Sequence, residues 1–200
     1  MRNFRNNTRV LASVLIALAT TVATACGDDP TEPIEGGGDP ENISRVTVTL
    51  VPGSGATQTS FRVDPDGTTL PLPVGAAQGT LALIKGQTYS GEVKLLNDLD
   101  PRNVIDITNE VRSEANFHRF FYTLTCAGVT VPVASLDKDT QTPVAQPLGI
   151  KFQLLVSSTA ATSSACTLRV ELRHFENAKG DGTGSVFDTD LAIEFPVTVN

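Results

Sequence analysis

The chain has 200 residues, 40% hydrophobic and 18% charged, with a formal net charge of −7, two histidines, three cysteines and no tryptophan. Its length suits one domain behind an export segment. The acidity excludes non-specific nucleic-acid binding, which needs positive charge against phosphates, and it repels anionic membrane surfaces. No tryptophan and only two tyrosines argue against an aromatic sugar platform.

Residues 1–9 carry three arginines and no acid, and residues 10–25 form the run VLASVLIALATTVATA. A basic start, a short apolar stretch and small residues before a cysteine are the layout of a signal peptide; the stretch is too short for a spanning helix. Cys26 at the predicted cut makes residues 1–25 a lipoprotein signal peptide and Cys26 the lipidation site, although Ala23 stands where a large aliphatic residue is usual. Residues 26–42 follow as an acidic segment rich in glycine and proline. Asp28, Asp29, Glu32, Glu35, Asp39 and Glu41 all precede Arg45, with no base among them. Such a composition cannot bury enough apolar surface to offset its ordering entropy, so it reads as a flexible tether. The folded domain is then expected over residues 43–200.

Within that domain, period-two alternation dominates. Residues 45–51 place Val46, Val48 and Leu50 on one face. Residues 87–96, 120–126 and 150–156 repeat the pattern, and residues 166–174 and 191–199 give it most clearly. These segments predict half-buried antiparallel strands. Pro196, on the outward parity of the last segment, predicts a sheet edge. Residues 64–67 and 180–184 read as turns. Residues 106–117, DITNEVRSEANF, depart from strand character. Thr108 as cap, Glu110 in the first turn, and Val111, Ala115 and His118 at helical spacing predict a helix of about three turns. Strands and helices do not alternate. The expected fold is therefore mainly β, an antiparallel β-sandwich of immunoglobulin or transthyretin type with seven to nine strands and one short helical crossover.

Cys126 and Cys166 fall on the apolar parity of predicted strands. In an exported chain this even pair predicts a disulfide, which closes a loop of about 40 residues and stabilises by roughly 4 kcal/mol in the chain-entropy account.

The two histidines are the best candidates for chemistry. His118 ends the predicted helix, with Glu114 and Glu110 four and eight residues before it on the same face. His174 shares the inward parity of Leu168, Val170 and Leu172. Glu176 and Asp181 follow it, and Asp188 and Asp190 precede the last strand. If the helix packs over that end of the sandwich, two imidazoles and one or two carboxylates converge. Such a set suits Zn²⁺ or Cu²⁺, whereas calcium takes oxygen alone. The metal-ligand candidates are His118, His174, Glu114 and Glu110, and a shared ion requires the two imidazoles within about 5 Å of each other. The competing reading makes these residues a hydrogen-bonded core histidine and a solvated helix face. The chain lacks a G-x-S-x-G elbow, an H-E-x-x-H motif and a phosphate-cradling glycine loop, so the expectation is a binding protein and not an enzyme.

Two segments, GQTYSGEVKLLNDLDPRNVIDITNEVRSEANFHRFFYTLT (residues 86–125) and CTLRVELRHFENAKGDGTGSVFDTDLAIEFPVTV (residues 166–199), resemble a family of small bacterial cell-envelope lipoproteins. Some of these bear a type 1 periplasmic-binding-fold name, and they are often encoded near TonB-dependent outer-membrane receptors. Glu110, Glu114, His118 and His174 match the polar members of that family's motifs. The resemblance implies an outer-membrane lipoprotein, on the periplasmic face or at the cell surface, with such a receptor as partner. It defines no activity. The periplasmic-binding fold requires a strand–helix alternation that this chain lacks, so the sandwich remains the expectation. The functional reading is a lipid-anchored envelope protein that captures a transition metal or metal complex as accessory to a receptor. The alternatives are a structural or protein-interaction sandwich without a small ligand, and a hydrolase with a spatial acid pair.

Overall fold

Alternation along the sequence becomes pairing along the backbone. The computed structural model describes residues 41–64, 75–141, 144–182 and 186–200. The predicted signal peptide, Cys26, the tether up to residue 40 and all of the predicted 64–67 turn except Asp64 lie outside the described residues. The strands are β1 (Arg45–Pro52), β2 (Gln58–Val63), β3 (Leu81–Leu83), β4 (Thr88–Leu96), β5 (His118–Leu124), β6 (Val129–Thr130), β7 (Lys151–Val156), β8 (Ser163–Phe175) and β9 (Phe187–Val199). One helix, α1 (Ile107–Ser113), lies between β4 and β5.

The strands form two sheets. The first runs β2-β1-β4-β7-β6 and the second β3-β9-β8-β5, so the expected β-sandwich with a helical crossover is the architecture found. All pairings are antiparallel except β3 with β9, where Leu81 sits beside Val197 in a parallel register. The apolar parity of each strand is the buried one. Val46, Val48 and Leu50 of β1, Tyr89, Val93 and Leu95 of β4, Leu168, Val170 and Leu172 of β8, and Leu191, Ile193, Phe195 and Val197 of β9 fill the core. On that buried parity β4 carries Gly91 opposite Phe152 of β7. A Cβ on Gly91 would lie 2.3 Å from the Phe152 ring, so the missing side chain is what lets the ring lie across β4.

Several expectations need correction. The helix is two turns and not three, because it ends at Ser113 and the chain turns through Glu114 into β5. Thr108 does not cap it: Asp106 is the cap residue, and the Thr108 hydroxyl both accepts from Leu95 N (2.7 Å) and donates to Leu95 O (3.1 Å). This bond pair, with the Lys94–Asp106 ion pair, fastens the helix to β4, while Ile107 and Val111 enter the core. Strand β9 is an inner strand by order. Pro196 lies just before its short pairing with β3, so the stretch ahead of it still acts as an edge. Strands β2, β3 and β6 are short or mixed in polarity and left no clear alternation to read. Gly180 and Gly182 have φ of 55° and 77°, as the predicted 180–184 turn requires of its described part; residues 183 and 184 lie outside the described residues.

The Cys126–Cys166 disulfide is present, with a Cα–Cα distance of 5.3 Å, and it joins the end of β5 to β8. Replacing both cysteines by alanine should lower unfolding stability by about 4 kcal/mol through the freed unfolded-state loop. Urea unfolding checks this, and a loss below about 1 kcal/mol would show that the bridge constrains little.

Candidate metal centre

Register places the two histidines side by side. His118 opens β5 and His174 lies near the end of β8, directly opposite each other in the β5–β8 pairing. Their ring centroids are 4.3 Å apart with the planes tilted by 40°. Both residues point inward and are buried, His118 completely.

Two carboxylates join them. In the β8–β9 ladder Leu172 faces Leu191 and Arg173 faces Thr189, so Asp190 is the extra residue of a β-bulge. Strict alternation from the buried Leu191 would send Asp190 outward; the bulge turns its side chain inward, where it is 1% exposed. The second carboxylate is Glu41, from the lead-in to β1, with its side chain 3% exposed. Its Oε1 lies 2.5 Å from His118 Nε2, and Asp190 Oδ2 lies 3.7 Å from the same nitrogen. One donor atom from each of Glu41, His118, His174 and Asp190 falls within 4.8 Å of the others.

The remaining ring nitrogen of His118 is accounted for. Nδ1 is 3.2 Å from the backbone carbonyl of Glu114 and can donate to it, which leaves Nε2 facing the cluster, where it donates to Glu41 without a metal and would offer its lone pair to an ion. That is the arrangement of a metal-ligating imidazole held by a carbonyl behind it. Glu114 thus serves His118 through its main chain, while its carboxylate stays 3.9 Å from Nδ1 on the side away from the cluster nitrogen. The structure does not bring Glu110 to the group. Because α1 ends at Ser113, no continuous helix face runs from Glu110 to His118, and Glu110 is exposed.

The electrostatics follow from burial and proximity. Burial, reinforced by the negative charge of Glu41, pushes the Asp190 carboxyl up to about 9. Burial alone would raise Glu41 as well, but the hydrogen bond and charge of His118 outweigh it and hold Glu41 below the usual carboxylate range. Burial, then the charge of His118, lowers His174. At neutral pH without a metal, Asp190 therefore carries a proton beside an ionised Glu41 and a neutral His174.

Near the cluster the chain is pinned by a second buried pair. Lys179, in the loop after β8, lies 2.7 Å from Asp139, both side chains fully buried, and also donates to the Ala115 carbonyl. Its backbone N–H bonds Asn116 O, tying that loop to the segment between α1 and β5. A groove of about 480 Å³ lies on the first sheet, lined by Thr49, Ser90, Glu92, Lys151 and Gln153 among others, and shares no residue with the cluster.

Comparison with protein-family models, with curated proteins and with solved structures finds no match for this chain.

Asp190 gives the centre a pH signature. Its proton is retained in the native state up to about pH 9 but is lost in the unfolded chain near 3.8. The stability it confers is complete at acid pH and is lost as pH rises through this window. Between pH 7 and 8.5 the chelator-treated protein should lose about 1.4 kcal/mol per pH unit from this one proton. Asp190→Asn should flatten the slope. Urea midpoints across that range test it, and equal slopes in both proteins would contradict the assignment.

Proposed function

We propose that this chain is a lipid-anchored cell-envelope binding protein whose sandwich holds one transition-metal ion between Glu41, His118, His174 and Asp190. One observation carries the reading. One donor atom from each of these four buried residues lies within 4.8 Å of the others, and Glu41 Oε2, His174 Nε2 and Asp190 Oδ2 lack an aligned hydrogen-bond partner. Leaving one such group unmet costs about 1–3 kcal/mol, and three in one place suit a shared partner that accepts lone pairs. A cation is that partner.

Two imidazole nitrogens and two carboxylate oxygens suit zinc. Copper(II) prefers tetragonal surroundings, and calcium takes oxygen ligands in larger number. Zinc at about 2.0–2.2 Å from each donor sets them roughly 3.4 Å apart, so loading contracts the wider gaps and opens the close His118–Glu41 contact. Four protein donors without solvent access favour a bare resident ion over a metal complex. They also leave no free position for a substrate.

The envelope part of the reading is supported by the leader-like residues 1–25, by Cys26 and by a disulfide of the kind that persists in oxidising compartments. The resemblance to lipoproteins encoded near TonB-dependent receptors supplies the partner, an outer-membrane receptor beside which the anchored domain would work.

The purified protein should carry about one equivalent of zinc by elemental analysis. His118→Ala and His174→Ala should each weaken zinc binding by roughly a hundredfold or more, since even outer-shell changes cost 10–100-fold. Glu110→Gln should leave it unchanged. Metal content in His174→Ala equal to that of the parent would sink the proposal. Separately, labelled fatty acid fed to the expressing bacterium should enter the chain and be absent from Cys26→Ser; label retained in the variant would remove the anchor.

A further inference from the structure

We infer that the ion acts as a clip: by engaging Glu41 it fastens the lead-in of β1 to the second sheet, so that metal loading sets where the tether ends and the domain begins. The inference rests on the metal-holding reading above and adds a regulatory consequence to it.

The four ligands are not equivalent. His118, His174 and Asp190 stand on β5, β8 and β9, three adjacent strands of the second sheet, with positions fixed by ladder pairing and by the bulge. They form a half-site that exists whatever the lead-in does. Glu41 alone comes from outside that sheet, ahead of β1 in the first.

Main-chain anchoring of the lead-in starts late. Among the described residues, its first bond to the sheet is Ser44 N to Leu96 O at 2.9 Å, supported by the Ser44 hydroxyl on Asp98 at 2.5 Å. Ile43 is buried by packing. Among the described residues, Glu41 is therefore held by its side chain, through the contact with His118 and beside the carboxyl of Asp190. A divalent ion would replace the single proton shared by the two carboxyl groups with bonds to both, and among the described residues the gain falls on the ligand whose backbone makes no bond to the sheet. Upstream of Glu41 the sequence is acidic and rich in glycine and proline back to Cys26, so the clip sits at the root of the predicted tether.

The test is hydrogen exchange by mass spectrometry on the full chain in detergent, with and without zinc, alongside zinc stoichiometry by native mass spectrometry. At zinc concentrations that fill the site, exchange of the amides of residues 42–43 should slow by the factor that losing Glu41 costs in zinc affinity, because their opening then gives up that one ligand. Amides of β1–β2, which open without touching the site, should not change. In Glu41→Gln, at a zinc concentration that fills the remaining ligands, the lead-in should gain no protection. One bound zinc with unchanged exchange at residues 42–43 would overturn the clip while leaving the metal centre standing. Equal slowing in Glu41→Gln would overturn it too. Absence of bound zinc in the parent protein would remove the centre and the clip together. The parent comparison with and without zinc decides the matter if the variant fails to fold.

Discussion

Two carboxylates buried within reach of the same imidazole set the constraint on which this structure turns. Charge removed from water must be neutralised nearby, because the interior neither solvates it nor screens it. The molecule meets this demand in two ways. Lys179 and Asp139 form a closed pair, one cation and one anion, and Asp139 accepts in addition from the backbone of Gln141 and Gln146. Nothing further is required there. The Glu41–His118–His174–Asp190 group has two acids, and its balance without metal depends on Asp190 keeping a proton that an ordinary aspartate has long lost at neutral pH. A divalent cation would displace that proton and balance both carboxylates at once. The two clusters thus differ in kind: one is complete as an ion pair, the other is complete only with a proton or a metal.

The fold produces the group from ordinary parts. Pairing of β5 with β8 sets one imidazole against the other, and any one-residue slip of that register would turn both strands inside out. The bulge in β9 adds an acid on the inside without disturbing the apolar parity that follows it. The early end of α1 lets the Glu114 carbonyl reach Nδ1 of His118. A longer helix would have carried His118 on its own face and withheld it from the sheet. The same shortening that corrects the sequence reading of the helix is what delivers the histidine.

Legibility in the sequence follows from how local each feature is. The long strands, the two-cysteine bridge and the inward aim of His174 rest on period-two parity, a property of neighbouring residues. The proximity of the histidines was a conditional expectation, because it depends on strand order. Asp190 stood among the acids near the last strand, but its inward turn depends on a bulge, which shifts parity by one and leaves no mark in composition. Glu41 reads as part of the tether because its neighbours are those of a tether. Its burial is a tertiary event, the contact of one side chain with a distant strand. Glu110 misled for the opposite reason: helical spacing is legible, whereas the point at which a helix stops is set by packing against β4 through Thr108 and Asp106.

Strand β5 shows why the two cross-links belong together. It is the outer strand of the second sheet and pairs with β8 from His118–His174 at one end to Leu124–Leu168 at the other, a span of about 20 Å. Just beyond Leu124 the Cys126–Cys166 disulfide ties the chain to β8 covalently. At the other end His118 sits in the four-residue cluster with His174 and Asp190 of the neighbouring strands. An outer strand is where a sheet opens first, since one side has no ladder to hold it. Here it is tied at one end by the disulfide and at the other by a buried group that could hold a metal ion. The first tie depends on redox poise outside the chain, and the second would depend on metal supply. Between them the ladder is held by its backbone bonds, by alternating apolar residues on the inside and by Arg119 and Arg173 stacked on Phe121 on the outside.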